Sequence, residues 1–270
     1  RKTMINITVI GAAGKMGSRI IALSKDYKDI KLAGAVERKE HKNIGQDIGD
    51  VIGIGKTGIK LVSNIKDVEA KTNVCIDFSS PESTSQNLKA LSGNPVPMVI
   101  GTTGVTKDIT EEIKSYAQKA PCVFAPNMSV GVNLLLKVLT DVAKVLGDDY
   151  DIEIIEAHHR LKKDAPSGTA MKMAQVIASA LNRNLDDTAV YTRKGLIGER
   201  TKKEIGIQTI RAGDIVGEHT VLFGGLGERI EITHKASSRD TFARGALKAA
   251  LWVHKKAPGL YDMQDVLGLK

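Results

Sequence analysis

A glycine turn near the start of the chain constrains the fold more than any other feature. Residues 5–21 read INITVIGAAGKMGSRII: an apolar β-branched run, a turn containing Gly11, Gly14 and Gly17, and then apolar residues at helical spacing. Ala13 stands where the strict G-x-G-x-x-G pattern has its middle glycine. A strand–turn–helix of this kind lets backbone amides approach a pyrophosphate at a helix N-terminus. We therefore predict a dinucleotide-binding site rather than a purely structural turn.

A second apolar run, KLAGAV at residues 31–36, ends in Glu37 and Arg38. An acid at this position accepts hydrogen bonds from an adenine-ribose hydroxyl, and an adjacent arginine can bind a 2′-phosphate. Because both side chains are present, we expect the site to accept NADH or NADPH.

The first half of the chain alternates apolar runs with helical patterns. Strands are predicted within residues 72–80, 95–104 and 121–131, and helices over 81–91 and about 106–119. Apolar strands separated by helices are typical of a parallel sheet covered on both faces, which binds ligands at the carboxyl ends of its strands. Polar residues at these strand ends should line that edge: Ser79, Ser80, Gly101, Thr102, Thr103, Pro126, Asn127 and Met128.

The segment from Glu40 to Lys60 is charged and rich in glycine. Glycine at this density favours a loop. We interpret the segment as a flexible flap near the adenosine end of the cofactor site.

The second half has a different pattern. A helix is predicted over 131–146 and a strand over 150–157, and two later runs at 218–223 and 228–236 alternate apolar and polar residues. Period-two alternation bounded by glycine turns indicates an antiparallel or mixed sheet with one polar face. A final helix, over about 238–256, should pack back onto the first half.

The predicted fold is therefore α/β, with two domains. Residues 1–129, completed by a tail at 239–270, would form an N-terminal Rossmann-type parallel-sheet domain that binds the dinucleotide. Residues 130–238 would form an inserted α+β domain with a mixed open sheet, for substrate binding and oligomerisation. Arg1 to Thr3 precede Met4, and we expect either that Met4 is the natural initiator or that the first three residues are an addition.

Composition excludes several classes of protein. The net charge is +8, but aromatic residues are only 4% and no run of five or more Lys/Arg occurs, so nucleic-acid binding is not expected. No apolar run reaches transmembrane length and no signal-peptide pattern is present. Cys75 and Cys122 form no C-x-x-C motif and are interpreted as buried reduced thiols, which fits the cytoplasm. An anionic cofactor and substrate account for the positive charge.

The segment EAHHRLKKDAPSGT, residues 156–169, is the main candidate for chemistry. It follows a predicted strand and leads into a predicted helix from Thr169 to Leu181, whose start suits an anion. His158 and His159 are neighbours on extended backbone, so their side chains leave on opposite faces. Cationic side chains beside a helix start are typical of a site that binds a carboxylate or phosphate and can supply a proton. The structural alternative is a basic loop exposed to solvent.

The remaining histidines have no such pattern. His219, His234 and His254 stand alone in the sequence, and we expect them to be structural. His41 lies in the predicted flap without an identifiable partner. Adjacent histidines diverge on a strand and no H-E-x-x-H occurs, so no metal site is expected.

Six motifs occur in an order that resembles one family. GAAGKMG, GTTG, APNMSVGVN, EIIEAHHRLKKDAPSGTA, RAGDIVGEHT and ITHKASSR are together similar to the 4-hydroxy-tetrahydrodipicolinate reductases, also called dihydrodipicolinate reductases. The resemblance runs from Ile5 to Leu269. It implies reduction by NADH or NADPH of a cyclic dicarboxylate, the product of an aspartate-semialdehyde condensation on the route to diaminopimelate and lysine. It also implies a cytoplasmic homotetramer.

The resemblance also implies residue roles. His158 would be the acid/base residue and Lys162 the proton donor, while His159, Gly168 and Thr169 would bind substrate. We expect the backbone N–H groups of residues 167–169 to face one substrate carboxylate. The residues implied to bind or flank the cofactor are Gly11, Ala12, Ala13, Gly14, Lys15, Met16, Glu37, Arg38, Gly101, Thr102, Thr103, Ala125, Pro126, Asn127 and Met128.

Two positions depart from the family pattern, and three other functions compete. Leu161 stands where many relatives have a polar residue, and Lys163, where they have an apolar one, competes with Lys162 as the proton donor. A different two-domain dehydrogenase would share the glycine turn but not the H-H-R-x-K and A-P-S-G-T cluster. A Schiff-base lyase would use Lys162 as a nucleophile. A non-catalytic sensor would bind cofactor without turnover.

Overall fold

The structure is a computed structural model that describes residues 4–270, so the expectation about Arg1 to Thr3 lies outside the described residues. The chain divides into two compact units. One comprises the chain up to Val130 together with Arg239–Lys270, and the other comprises Gly131–Ser238. The second unit thus begins one residue later than the boundary at 130 expected from the sequence.

The first part of the chain alternates strands and helices, as its sequence predicts. Its elements are β1 (Ile5–Ile10), α1 (Lys15–Ser24), β2 (Ile30–Val36), α2 (Ile48–Val51), β3 (Leu61–Val62), β4 (Val74–Asp77), α3 (Pro81–Leu91), β5 (Met98–Ile100), α4 (Lys107–Ala117) and β6 (Pro121–Phe124). The hydroxyls of Ser80 and Thr106 accept from backbone N–H groups at the starts of α3 and α4. These caps fix where both helices begin.

The inserted unit and the returning tail complete the chain. The inserted elements are α5 (Val130–Leu146), β7 (Asp151–His158), α6 (Gly168–Ala180), α7 (Leu185–Thr188), β8 (Ala189–Val190), β9 (Ile205–Arg211), β10 (Gly217–Gly224) and β11 (Arg229–Ala236). The tail forms α8 (Asp240–Val253), β12 (Gly259–Tyr261) and α9 (Met263–Leu267).

A parallel sheet organises the first unit. Within residues 4–270 it has seven strands in the order β12-β6-β5-β4-β1-β2-β3, and each adjacent pair is parallel. One buried cluster joins this sheet to α1 and α8, and a second joins it to α3 and α4. The strand order reverses beside β1, between β2 and β4. In such sheets the crevice at this point binds the ligand.

The charged segment from Glu40 to Lys60 is folded, which corrects the interpretation of a flexible flap. Ile48 is fully buried, and several further isoleucines of the segment pack against the first core. Asp47 ties the segment together by accepting from the backbone N–H groups of Gly49, Thr57 and Gly58. These bonds lower the pKa of Asp47 to about 2. The buried apolar side chains and the bonds to Asp47 together hold the segment in one conformation.

A mixed sheet organises the second unit. Among the described residues it has the strand order β11-β10-β7-β9-β8, with β7, β9 and β8 parallel and β10 antiparallel to both β7 and β11. Helices α5 and α6 cover one face and share a buried core with β7, β9 and β10. On the other face Ile155 and Ile210 remain exposed.

Cys75 and Cys122 are free and buried in the first unit, as predicted. Of the helices in residues 4–270, none has the length and apolar character needed to cross a bilayer.

Candidate active site

The glycine turn after β1 is shaped by close backbone packing. Gly11 has φ +73°, and a Cβ there would lie 2.6 Å from the carbonyl oxygen of Phe78. A Cβ on Gly17 would lie 2.1 Å from the carbonyl oxygen of Gly11. Both distances are far below van der Waals contact, so only glycine permits this turn. The backbone N–H groups of Gly11 and Ala12 donate to Val36, which joins the turn to the end of β2.

The start of α1 is suited to an anion. Gly14 is its N-cap and supplies no side-chain cap, and the described first turn contains no acidic residue. The N–H groups of a helix start carry partial positive charge, which is then available to a phosphate.

A cavity of about 640 Å³ lies at the carboxyl edge of the parallel sheet. It is lined by the start of α1, the segments that follow β4, β5 and β6, and the start of α8. The lining residues are Lys15, Met16, Phe78, Ser79, Gly101, Thr102, Thr103, Pro126, Asn127, Met128, Arg239 and Phe242. Its volume lies within the ordinary range for small-molecule and cofactor sites. Eight residues predicted to bind or flank the cofactor are in this lining.

The other predicted cofactor residues are not part of the cavity lining. Gly11, Ala12, Ala13 and Gly14 form the turn itself, and Ala125 is buried. Glu37 directly follows β2 and accepts from the backbone N–H of Ala13 at 3.1 Å and of Arg38 at 3.1 Å. Glu37 therefore also braces the turn. Because a carboxylate has about four lone-pair sites, it can still accept from ribose hydroxyls. The Arg38 side chain is exposed.

A buried carboxylate is hydrogen-bonded to residues that line this cavity. Asp77 is fully buried at the end of β4 and accepts from the hydroxyls of Ser79 at 2.5 Å and Thr84 at 2.8 Å. Thr84 also bonds Thr102 of the cavity lining at 3.0 Å. Burial raises the pKa of Asp77, and the hydroxyl partners oppose that shift. These hydrogen bonds hold Thr102 in place. In the sequence, Asp77 is recognisable only as a polar residue at the end of an apolar strand.

In the second unit a fully buried carboxylate organises the segment with the two histidines. Glu156 accepts from Nδ1 of His158 at 2.6 Å and from both terminal nitrogens of Arg211 at 2.8 Å. It also accepts from the backbone N–H of Ser167 at 2.9 Å and the hydroxyl of Thr209 at 3.3 Å. A buried charge is tolerated when it is paired and hydrogen-bonded in this way.

Burial favours the neutral form of His158, and its orientation is set by Glu156. Burial lowers its pKa, and the bond to Glu156 only partly opposes that effect. Because an ionised carboxylate only accepts hydrogen bonds, Nδ1 carries the proton. A Cβ on Gly217, at the start of β10, would lie 3.1 Å from Nε2 of His158. Glycine at 217 therefore leaves room beside that nitrogen.

His219 belongs to the same cluster, so the expectation that it stands alone is wrong. Its ring is 4% exposed and lies edge-on to the His158 ring with centroids 5.1 Å apart. Its Nε2 lies 3.0 Å from the hydroxyl oxygen of Ser167. Burial lowers the pKa of His219 to about 4. His234 lies directly opposite His219 on β11, whereas His254 ends α8 in the other unit.

The two candidate lysines differ in environment. Nζ of Lys162 lies 2.8 Å from each carboxylate oxygen of Asp164, and the Lys162 side chain is 19% exposed. This ammonium lowers the pKa of Asp164. Lys163 is exposed. Lys162 therefore differs from Lys163 in being partly buried and paired with a carboxylate.

The start of α6 differs from the expectation in one respect. The Ser167 hydroxyl caps the helix by accepting from the N–H of Ala170, but the N–H of Ser167 itself donates to Glu156. It is therefore not available to a substrate carboxylate, whereas Gly168 is exposed at the first helical position. A Cβ on Gly168 would meet no heavy atom of the described chain within 4 Å. Nδ1 of His159 is buried and has no hydrogen-bond partner among the described residues.

Comparison with known proteins decides the family. A family model described as "Dihydrodipicolinate reductase, N-terminus" matches residues 5–128, and one described as "Dihydrodipicolinate reductase, C-terminus" matches residues 131–267. The chain belongs to the dihydrodipicolinate reductase family.

Similar proteins support this assignment over the full length. The chain is 57% identical to the 4-hydroxy-tetrahydrodipicolinate reductase of Syntrophus aciditrophicus (strain SB) and 55% identical to that of Syntrophobacter fumaroxidans. Each match covers 99% of this chain and 100% of the relative. A dipicolinate-bound dihydrodipicolinate reductase from Paenisporosarcina sp. TG-14 has a TM-score of 0.75 and 25% identity, covering 97% of this chain and 99% of that one. An amine dehydrogenase from Mycobacterium smegmatis, at 13% identity and a TM-score of 0.58, shares the fold alone.

No role in the site was predicted from the sequence for Glu156, Arg211 or His219. Only Glu156 carries a signal, because residues two apart on a strand share a face and Glu156 stands two before His158. Arg211 and His219 reach the site through pairing of β7 with β9 and β10, which spacing along the chain does not reveal. Across residues 4–270, no group of three or more His, Cys, Asp or Glu side chains is arranged to hold a metal ion.

Proposed function

We propose that this chain catalyses the reduction of 4-hydroxy-tetrahydrodipicolinate to tetrahydrodipicolinate in the diaminopimelate route to lysine. The observation that carries the proposal is the cluster in residues 156–169. There a neutral imidazole, a partly buried ammonium and a capped helix start lie on one short segment. The substrate is a dicarboxylate imine, which requires a proton donor and an anion site. The names of the relatives point to the same reaction.

The first unit would hold the nicotinamide cofactor. The cofactor supplies a hydride when bound. The start of α1 would bind its pyrophosphate, and Lys15 would add positive charge. The cavity lining at Gly101 to Thr103 and at Pro126 to Met128, together with Ala125, would flank its nicotinamide. Glu37 and Arg38 support use of both cofactors, since one suits a ribose hydroxyl and the other a phosphate.

The second unit would hold the substrate. The start of α6 at Gly168 and Thr169 suits one carboxylate, and the buried unpartnered Nδ1 of His159 indicates a further polar contact with the ligand. Glycine at 168 permits close approach of the backbone.

Lys162 would donate the proton that completes the reduction. After the 4-hydroxyl group leaves as water together with a neighbouring ring proton, hydride addition to the resulting conjugated imine leaves electron density on the ring, and a cation near the ring nitrogen both polarises the acceptor and delivers the proton. When substrate binds, the ammonium of Lys162 would leave Asp164 and bond to the substrate instead. His158 is neutral with its proton on Nδ1, so it suits the role of a base and hydrogen-bond acceptor.

Two rival functions fit the site less well. A Schiff-base lyase would use the amine of Lys162 as a nucleophile, whereas this amine is bonded to both carboxylate oxygens of Asp164. A cofactor sensor would not need the proton-handling cluster of the second unit.

The assembly is proposed to be a homotetramer. The resemblance implies it, and the open face of the five-stranded sheet exposes Ile155 and Ile210, which isolated subunits would leave in water.

Loss of the nicotinamide absorbance tests the proposed reaction. The substrate is generated in the cuvette from pyruvate and aspartate semialdehyde, and NADH and NADPH are tested separately. We expect substrate-dependent loss with both cofactors and a modest preference for one. No loss with either cofactor would refute the proposed activity.

A further inference from the structure

Every group bonded to Glu156 acts as a donor. Ser167 N–H and the Arg211 guanidinium can only donate, and His158 donates through Nδ1 because the carboxylate is ionised. Burial raises the pKa of Glu156, but the bonds from Arg211, His158 and Ser167 outweigh it and hold that pKa below its ordinary value. One carboxylate thus connects the proton-handling imidazole to the cap of α6.

We propose that Glu156 is a positioning residue that fixes His158 as the Nδ1–H tautomer while holding Ser167 at the start of α6. The inference rests on the proposed function, since it specifies how His158 and the anion site of that function are oriented. Nε2 of His158 is then an acceptor, and Gly217 leaves space beside it. Arg211 braces the arrangement, because its second terminal nitrogen also donates to the backbone carbonyl of Asp164 at 2.6 Å, next to the Lys162 pair.

Substitution of Glu156 by glutamine separates the two tasks. One half of the new side-chain amide must be an NH₂ group, which is least unfavourable where it faces the fewest fixed donors. At the Oε1 position it would meet two fixed donors, Ser167 N–H and Arg211 Nη2. At the Oε2 position it would meet one fixed donor, Arg211 Nη1, and His158, which can change tautomer and accept. The amide oxygen should therefore stay with Ser167, and His158 should become the Nε2–H form.

Long-range ¹H–¹⁵N correlation spectra of ¹⁵N-histidine-labelled protein test this directly at neutral pH. A His158→Asn variant identifies the His158 signals. We expect a protonated Nδ1 in the wild-type protein and a protonated Nε2 in Glu156→Gln. Turnover should fall roughly 10- to 100-fold, the range for losing a second-layer partner of a functional histidine in metal sites. The dissociation constant for dipicolinate should change less than about threefold, since Ser167 keeps its acceptor and α6 its anion site.

Glu153→Gln is the matched control. Glu153 lies on the same strand but on the opposite face, where it pairs with Arg193 and Arg200. It should leave the His158 tautomer unchanged. An Nε2–H tautomer in the wild-type protein, or an unchanged tautomer in a folded Glu156→Gln variant, would overturn the inference. The wild-type tautomer alone decides the matter if the variant does not fold. Because tautomers are observed without turnover, a wild-type protein inactive in the reductase assay would refute the proposed function separately.

Discussion

At the scale of single residues, Lys162 carries the most specific prediction. Its ammonium is partly buried and held by Asp164, whereas Lys163 is exposed. Lys162→Ala should lower kcat by roughly 10² to 10⁴, the range for loss of a positioned acid, while the dissociation constant of the cofactor barely changes. Lys163→Ala is the control and should have a mild effect. The reverse pattern in steady-state kinetics would assign the proton to Lys163.

The state of His158 predicts the acid limb of the pH profile. Burial lowers its pKa below the ordinary 6.5, with Glu156 opposing and Lys162 and Arg211 reinforcing the shift. His158 should stay neutral down to that lowered pKa, so kcat/KM should fall only below about pH 6.5. A decline that begins above this pH would contradict the assignment of His158 as a neutral acceptor.

Protonation of His158 also affects stability, and the sign can be stated. The unfolded chain binds this proton more tightly than the folded one, so the contribution of His158 to stability is present above the unfolded pKa and is lost as pH falls. Circular dichroism measured at each pH therefore shows whether a loss of activity at low pH comes from unfolding or from protonation of His158 in the folded protein.

Cofactor choice is the third prediction at this scale. Arg38 is exposed beside Glu37, where a 2′-phosphate would lie. Arg38→Ala should raise KM for NADPH more than KM for NADH, because only NADPH loses a charge partner. Equal increases for both cofactors would show that Arg38 supports the adenine or the loop instead.

At the scale of elements, the start of α6 predicts how the substrate is held. Gly168→Val fills space that is open in the structure, so it should abolish binding of dipicolinate while cofactor binding persists. Wild-type protein should bind dipicolinate in competition with substrate, and more weakly at higher salt because part of the attraction is screened charge. Calorimetry measures both. Unchanged binding by Gly168→Val, or competition only with the cofactor, would place the anion site elsewhere.

Long periodic elements were predictable from the sequence, and short ones were not. Helix α3 was expected over 81–91 and occupies Pro81–Leu91, because proline and a serine cap mark its start. By contrast, β3 has two residues and β12 has three, which is too few to show a period, although β12 joins the parallel sheet beside β6. The segment around Asp47 was predicted to be flexible because of its many glycines, although its isoleucines pack into the core.

At the scale of the whole molecule, two units are built from one chain, and each has its own sheet and core. The candidate cofactor residues belong to the first unit and His158, Lys162 and the α6 start to the second. Site residues that lie within one short motif could be predicted from the sequence. The pairing that brings Arg211 and His219 to Glu156 and His158 could not, because it depends on which strands become neighbours.

Transfer of deuterium from cofactor to product tests the proposed hydride transfer. The reaction is run in ordinary water with nicotinamide cofactor deuterated at the transferred position, and the product is measured by mass spectrometry. Hydride transfer predicts one deuterium in tetrahydrodipicolinate for each cofactor oxidised, with the accompanying proton coming from the protein and solvent. Oxidised cofactor with an unlabelled product, or no tetrahydrodipicolinate at all, would contradict it.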